Sequence, residues 1–227
     1  MITNNSRGIR PLVIIGAGGH ARELAQLISD INAKSLQYEL VGFLDDGVPI
    51  GKVIAGRPVM GSTRDAHSMA TNTLFALGVG APATKLKLGS RLLDAGMEPV
   101  TLIHPSATIG RNVQIGSGSI VSAGCILTCD VAIGSFVTIN VACTVSHDSI
   151  IESYATLAPG VHVTGSVTVG EGCDLGAGLA TVQGVEIGEW SIIGSGAVIT
   201  KDLPANITAV GVPARIIKTR PSGWEKA

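Results

Sequence analysis

Aromatic side chains are scarce in this chain: three Phe, two Tyr and two Trp among 227 residues. A surplus of either charge is missing too. Sixteen Lys and Arg stand against seventeen Asp and Glu, a net charge of −1, which leaves no electrostatic footprint for nucleic acid or an anionic membrane. Long apolar runs are absent. The stretch from Ile9 to Ile15 is interrupted by Arg10 and Pro11, so neither a membrane span nor a signal-peptide core is expected and a cytoplasmic setting is. The four cysteines (Cys125, Cys129, Cys143 and Cys173) form no C-x-x-C pair, which predicts no zinc or other metal site and no disulfide framework.

What is there is a repeat. From Ile103 to Val198 the chain renews itself every six residues, sixteen times without an insertion. The first position runs Ile103, Ile109, Ile115, Val121, Leu127 and onward to Ile193, with Thr181 its one non-aliphatic member. The fifth position is small or β-branched (Ala107, Val113, Ser119, Cys125, Val131), and Cys143 and Cys173 also fall there as compact hydrophobes. A six-residue period predicts a parallel β-helix in which each unit gives one short strand and one corner. Three units close a coil, so sixteen make just over five coils, about 25 Å tall. A narrow prism of this kind has little room for aromatics. Its apolar, glycine-rich outer faces predict packing against copies of itself, closed by threefold symmetry.

Residues 10–98 read differently. A strand at Leu12–Ile15, a helix from about Ala21 to Asp30, a strand at Leu40–Leu44, a strand near Pro58–Met60, a helix near Thr63–Ala70, a strand at Thr73–Val79 and a helix from about Ala81 to Ala95 alternate as in a parallel α/β sheet. The division between the two parts falls near Met97–Thr101, giving domains 1–98 and 99–227.

The loop after the first strand carries chemistry. Gly16, Gly18 and Ala21 fit G-x-G-x-x-G/A between strand and helix. Such glycines let backbone approach a phosphate, and the helix N-terminus stabilises its charge. About 90 residues suffice for one mononucleotide-binding half, so a nucleoside diphosphate fits better than a dinucleotide; a tight turn with no ligand is the alternative. Gly19 and His20 either face that phosphate or start the helix. Asp45 and Asp46 either bind ribose or base, or turn the chain before Gly47. Gly80, closing the Gly78-Val79-Gly80 strand end, belongs to the same candidate site.

The Ile14-Ile15-Gly16-Ala17-Gly18-Gly19-His20 opening, the Phe43-Leu44-Asp45-Asp46 strand end, the Ile103-His104-Pro105-Ser106-Ala107 start of the repeat and the hexapeptide run resemble one family over residues 12–217. It is the sialic-acid O-acetyltransferase-like sugar acetyltransferases, including enzymes that N-acetylate nucleotide-linked 4-amino-4,6-dideoxy sugars. The resemblance implies a Rossmann-like half that holds the nucleotide sugar, a left-handed β-helix that forms a homotrimer with its active site at the subunit interface, and acetyl-CoA between adjacent prisms. It implies a role in surface-polysaccharide synthesis.

The family's catalytic His-acid pair lands on His147-Asp148. His147 is the third residue of its unit, outside the two inward positions. Its implied role is general base toward the sugar amine, with Asp148 orienting the ring. His104 reads as structural, His67 as a surface residue and His162 as a corner residue. Acetyl-CoA contacts implied by the resemblance are Thr156, Gly165, the Gly176-Ala177-Gly178 stretch, Ser195, Lys201 and Arg215. Relatives can carry a second His nine residues after the base, beside the thioester; this chain has Thr156 there. The expected function is direct N-acetylation of a nucleotide-linked amino sugar. Sugar O-acetylation, and a non-catalytic scaffold or NAD-binding module, are the alternatives.

Overall fold

The structure, a computed structural model, describes residues 8–69 and 72–226. It divides into two compact units: up to Val79 with Ser90–Val100, and Gly80–Gly89 with Thr101 onward.

In the α/β unit β1 (Arg10–Ile15) leads through α1 (Gly19–Lys34) to β2 (Tyr38–Leu44). A hairpin of β3 (Val53–Ile54) and β4 (Arg57–Gly61), a 3-10 turn (Thr63–Ser68), β5 (Leu74–Leu77), α2 (Pro82–Asp94), whose first half belongs to the second unit, and β6 (Glu98–Pro99) follow. The sheet order is β3-β4-β2-β1-β5-β6, parallel except for the hairpin. Leu12, Val13, Ile14 and Ile15 are wholly buried, because a central parallel strand is covered on both faces and so reads as an unbroken apolar run. α1 shows the expected single apolar face, burying Ala21, Leu24, Leu27, Ile28 and Ile31. It runs past the expected end at Asp30. β3 carried no sequence signal because it is only two residues long, and the expected helix near Thr63–Ala70 is a short 3-10 turn; Ala70 lies outside the described residues. The order reverses between β1 and β5. In open α/β sheets, ligands bind beyond the strand ends at such a point.

The second unit is the hexapeptide β-helix. Two-residue strands follow one another from β7 (Leu102–Ile103) to β23 (Val198–Ile199), one unit beyond the sixteen counted in the sequence. Up to β20 (Ala180–Thr181) each pairs in parallel with the third strand after it, eighteen residues on, as Thr144 pairs with His162. Three sheets result, one per face of the prism. Strand residues of even number face out, and their odd-numbered successors face in. Inside, Val121, Ile139, Leu157, Leu175 and Ile193 stack in one column and Leu127, Val145 and Val163 in another, all buried. Each such side chain contributes roughly 1.5–3 kcal/mol by leaving water. Cys125, Cys143 and Cys173 lie in this interior as free thiols. Burial pushes the Cys173 thiol up to about 12. The last coil is closed by β24 (Ile207–Val210), parallel to β22 (Ile192–Ile193), and by β25 (Arg215–Thr219), antiparallel to β24.

The three corners differ chemically. Each coil turns through one left-handed residue per corner. One column of such residues is Gly118, Phe136, Tyr154, Gly172 and Trp190, with Phe136 and Tyr154 stacked 5.4 Å apart. A second is bare: Gly124, Ala142, Gly160, Gly178 and Gly196. The third is polar: Asn112, Asp130, Asp148, Ser166 and Gly184. Asn and Asp tolerate this conformation better than other side chains.

The first half of α2 lies on the face containing β13 (Thr138–Ile139) and β16 (Thr156–Leu157). Lys85 is buried there, only 1 % exposed. Its amine donates to the carbonyls of Phe136 and Ala155, each at 3.0 Å, and to Thr138 Oγ1 at 3.2 Å. Burial holds the amine at about 7, well below the ordinary lysine range, against the opposing pull of Asp174. Among the described residues no helix is long and apolar enough to cross a membrane.

Candidate active site

His147 and Asp148 stand at the polar corner that follows β14 (Thr144–Val145). The strand buries Val145, which leaves the corner residues to project outward. Asp148 has φ 59°, and its Oδ2 lies 2.8 Å from His147 Nδ1. The Nδ1 proton is thereby directed at the carboxylate, so Nε2 carries the free lone pair. Both side chains stay accessible, 50 % and 62 % exposed. A ring held by a carboxylate on one nitrogen, with the other open to solvent, is equipped to take a proton from a bound group.

The residues above and below follow from the eighteen-residue coil. The corner column runs Arg111, Cys129, His147, Gly165, Gln183, Lys201. The Asp148 amide approaches the Cys129 carbonyl at 3.4 Å, and Ser166 N–H donates to the His147 carbonyl at 2.8 Å. Cys129 is thus one coil below His147, a neighbour that its six-residue position alone did not announce. Lys201 is three coils above it, about 14 Å along the axis.

In the α/β unit the glycine loop separates into two kinds of glycine. Gly16 has φ 100°, and a Cβ there would meet Val79 Cγ1 at 3.0 Å. A Cβ on Gly78 would lie 2.6 Å from Ile14 Cγ2 and 2.7 Å from Ala21 Cβ. These two are glycine for packing. Gly18 borders open space, and Gly19 meets only the end of Arg22 at 4.0 Å; Gly80 also borders open space but belongs to the second unit. Gly18 caps α1 without any side-chain bond to the first-turn amides. His20 bonds Glu23 Oε2 through Nδ1 at 3.1 Å, while its buried Nε2 has no partner. The uncapped amides fit an anion such as a diphosphate; with Nδ1 bonded to Glu23, His20 Nε2 could donate to that anion only from the imidazolium.

The two acids are engaged by the protein itself. Asp45 Oδ2 accepts from Ala17 N–H at 2.8 Å, and Oδ1 accepts from Gly47 and Val48 N–H at 2.8 and 2.9 Å. Asp46 accepts from the Thr63 amide and hydroxyl at 2.8–2.9 Å, and these bonds hold its carboxyl below the usual range. Both therefore fix loops, with Asp45 tying the glycine loop to the turn after β2.

The residues that the resemblance associates with acetyl-CoA are dispersed. Gly165 is on the His147 corner. Ala177, Gly178 and Ser195 are on the bare corner. Arg215 is on β25, with Nη1 donating to the Ala214 carbonyl at 3.1 Å. Thr156 is half a coil from His147, buried, with its hydroxyl donated to the Gly80 carbonyl at 2.7 Å. His104 accepts from the Ser106 amide at 3.0 Å. His162 is not at a corner: it is on the flat outer face of β17 (His162–Val163), 3.0 Å from Thr144 Oγ1, because it occupies the outward strand position. Among the described residues no group of three His, Cys, Asp or Glu side chains could hold a metal.

Residues 11–92 match the family model of the PglD N-terminal domain, and residues 166–201 match that of the hexapeptide repeat of succinyl-transferase. Over 118 residues the chain is 34 % identical to the UDP-N-acetylbacillosamine N-acetyltransferase of Bacillus subtilis, covering 51 % of this chain and 52 % of that protein. The match thus spans about half the length of this curated relative. The structure of PerB from Caulobacter crescentus in complex with CoA and GDP-perosamine is 33 % identical, with a TM-score of 0.83 over 92 % of this chain and 98 % of its own. The acetyltransferase domain of PglB from Neisseria gonorrhoeae, in complex with acetyl coenzyme A, is 31 % identical, with a TM-score of 0.85 over 92 % of this chain and all of its own.

Proposed function

Since the chain belongs to the PglD-like hexapeptide-repeat acetyltransferases, we propose that it moves an acetyl group from acetyl-CoA directly to the amine of a nucleotide-linked 4-amino-4,6-dideoxy sugar. The observation that carries this reading is the His147–Asp148 pair, with Nδ1 held at 2.8 Å and Nε2 open. His147 Nε2 takes the proton of the amine as its nitrogen attacks the thioester carbonyl. Asp148 stabilises the imidazolium so formed, and His147 returns the proton to the departing thiolate. No acyl-enzyme is required.

The α/β unit supports nucleotide binding through the bare backbone at Gly18 and Gly19 and the uncapped start of α1, with His20 Nε2 able to join as an imidazolium donor. The β-helix supports acetyl-CoA binding through the Gly165 backbone and through Lys201 on the same corner, where an ammonium suits a phosphate. Among the described residues the ring of His147 is hydrogen-bonded to Asp148, and a second copy across the β-helix face would complete the site. Ile109, Ile126, Val141, Ile150 and Val182 are 37–46 % exposed on the β-helix, apolar surface that a homotrimer would cover.

The test is release of free thiol from acetyl-CoA in the presence of UDP-, dTDP- and GDP-linked 4-amino-4,6-dideoxy sugars, with sialic acid alongside. Turnover of a nucleotide-linked amine is expected. Turnover of sialic acid alone would replace N-acetylation by O-acetylation. Sedimentation should give about three times the 23.1 kDa chain mass, and a mass near one chain would remove the trimer.

A further inference from the structure

Gly165 stands on the His147 corner one coil further on. Glycine is not needed there for backbone reasons, since its φ lies outside the left-handed region that explains Gly178 and Gly184. Nor does the corner demand a small residue. The same position in the other coils holds Arg111, Cys129, His147, Gln183 and Lys201. What distinguishes this coil is its neighbour. A Cβ built on Gly165 would lie 2.5 Å from both Cε1 and Nε2 of His147 and 3.1 Å from Nδ1. The imidazole therefore lies across the volume that any side chain at 165 would fill. Carbon contacts settle near 3.5–4.0 Å, so a methyl group there would displace the ring by about 1 Å.

We infer that Gly165 is a positioning residue: the missing side chain is the seat on which the His147 ring rests. Asp148 fixes the ring from one edge, at Nδ1, and the Gly165 backbone supports its face. Two restraints of different direction leave a single ring pose, with Nε2 directed outward. With Asp148 alone, the ring could still rotate about the line of that hydrogen bond. This inference rests on His147 acting as the base, and it assigns Gly165 a role separate from any contact its amide makes to acetyl-CoA.

Gly165→Ala separates these roles. A displacement of about 1 Å in a catalytic group lowers turnover by about 10²-fold. The expectation is a fall of that order in kcat, with KM for acetyl-CoA changed less than about threefold. In the His147→Ala background the same substitution should have no further effect, because the ring it displaces is gone. A loss of equal size in both backgrounds, or a loss confined to KM for acetyl-CoA, would overturn the seat and assign the glycine to the cofactor. The seat is also read without turnover. With histidine labelled at Cε1, the His147 ring proton should show a cross-relaxation contact to the Gly165 α-protons in the native protein. Its absence there overturns the inference whatever the kinetics show. Native turnover in His147→Ala alone would instead remove the base and leave the ring contact as the deciding result.

Discussion

The α/β unit and the β-helix each place an aspartate in the turn after a strand. Asp45 follows β2 and accepts three backbone N–H groups, those of Ala17, Gly47 and Val48. Asp148 follows β14, and its carboxylate meets one imidazole nitrogen. The first holds the shape of a loop that leaves its own amides open to a ligand. The second holds a ring whose far nitrogen is open. In the sequence both look alike, an acid near a histidine or glycine at a strand end. The number of backbone donors pointing at the carboxylate separates framework from chemistry.

The comparison can be broken most severely at His147. His147→Ala should lower turnover by about 10² to 10⁴-fold with the thermal midpoint unchanged, since the side chain is half exposed. A variant that unfolds early would move this histidine into the framework class. Asp45→Ala should do the reverse, costing about 2–3 kcal/mol in denaturant unfolding by stranding three amides. Should unfolding be unaffected while nucleotide affinity collapses, Asp45 would be a ligand and the contrast would fail.

Lys85 sharpens the contrast through pH. Burial holds its amine at about 7 when folded, whereas in the unfolded chain it titrates near 10.5. Between those values the unfolded chain binds more protons, so stability rises with pH, by up to about 1.4 kcal/mol per pH unit from this group. Lys85→Met should remove that slope. Unfolding curves of the two proteins that run parallel from pH 7 to 10 would show that the amine is not held as described. The smallest effect belongs to Thr156→Val, which removes one hydrogen bond to the Gly80 carbonyl, about 1 kcal/mol. A raised KM for acetyl-CoA in this variant would give Thr156 the cofactor role that the resemblance suggests.

Much of this was legible in the residues. The inward columns follow from Ile, Val and Leu at every sixth position, and the outward placement of His147 follows from its being third in its unit. The alternation of strands and helices before residue 98 fixed the class of the first unit. Other features were hidden because they depend on the coil rather than the hexapeptide. Gly165 reads as one more turn glycine until the eighteen-residue stack brings it to the His147 ring, and Cys129 reads as a stray thiol for the same reason. Lys85 sits in an amphipathic helix pattern where a lysine ordinarily marks the solvent side. The carbonyls of Phe136 and Ala155 and the hydroxyl of Thr138, far away in sequence, make its burial tolerable. The roles of Asp45 and Asp46 stayed open because acids before a glycine suit a turn and a ribose equally well.

The eighteen-residue stack also makes this protein a ruler. Its graduations are single coils, and His147 and Lys201 are marks three graduations apart on one edge. Removing residues 166–183 deletes one graduation and rejoins equivalent corner positions, shortening the span between those marks while leaving every remaining strand in register. Insertion of a single residue would do the opposite: it would keep the length and scramble which side chains face in. The reach of whatever lies along that edge is thus written in whole coils, a quantity that changes only in steps.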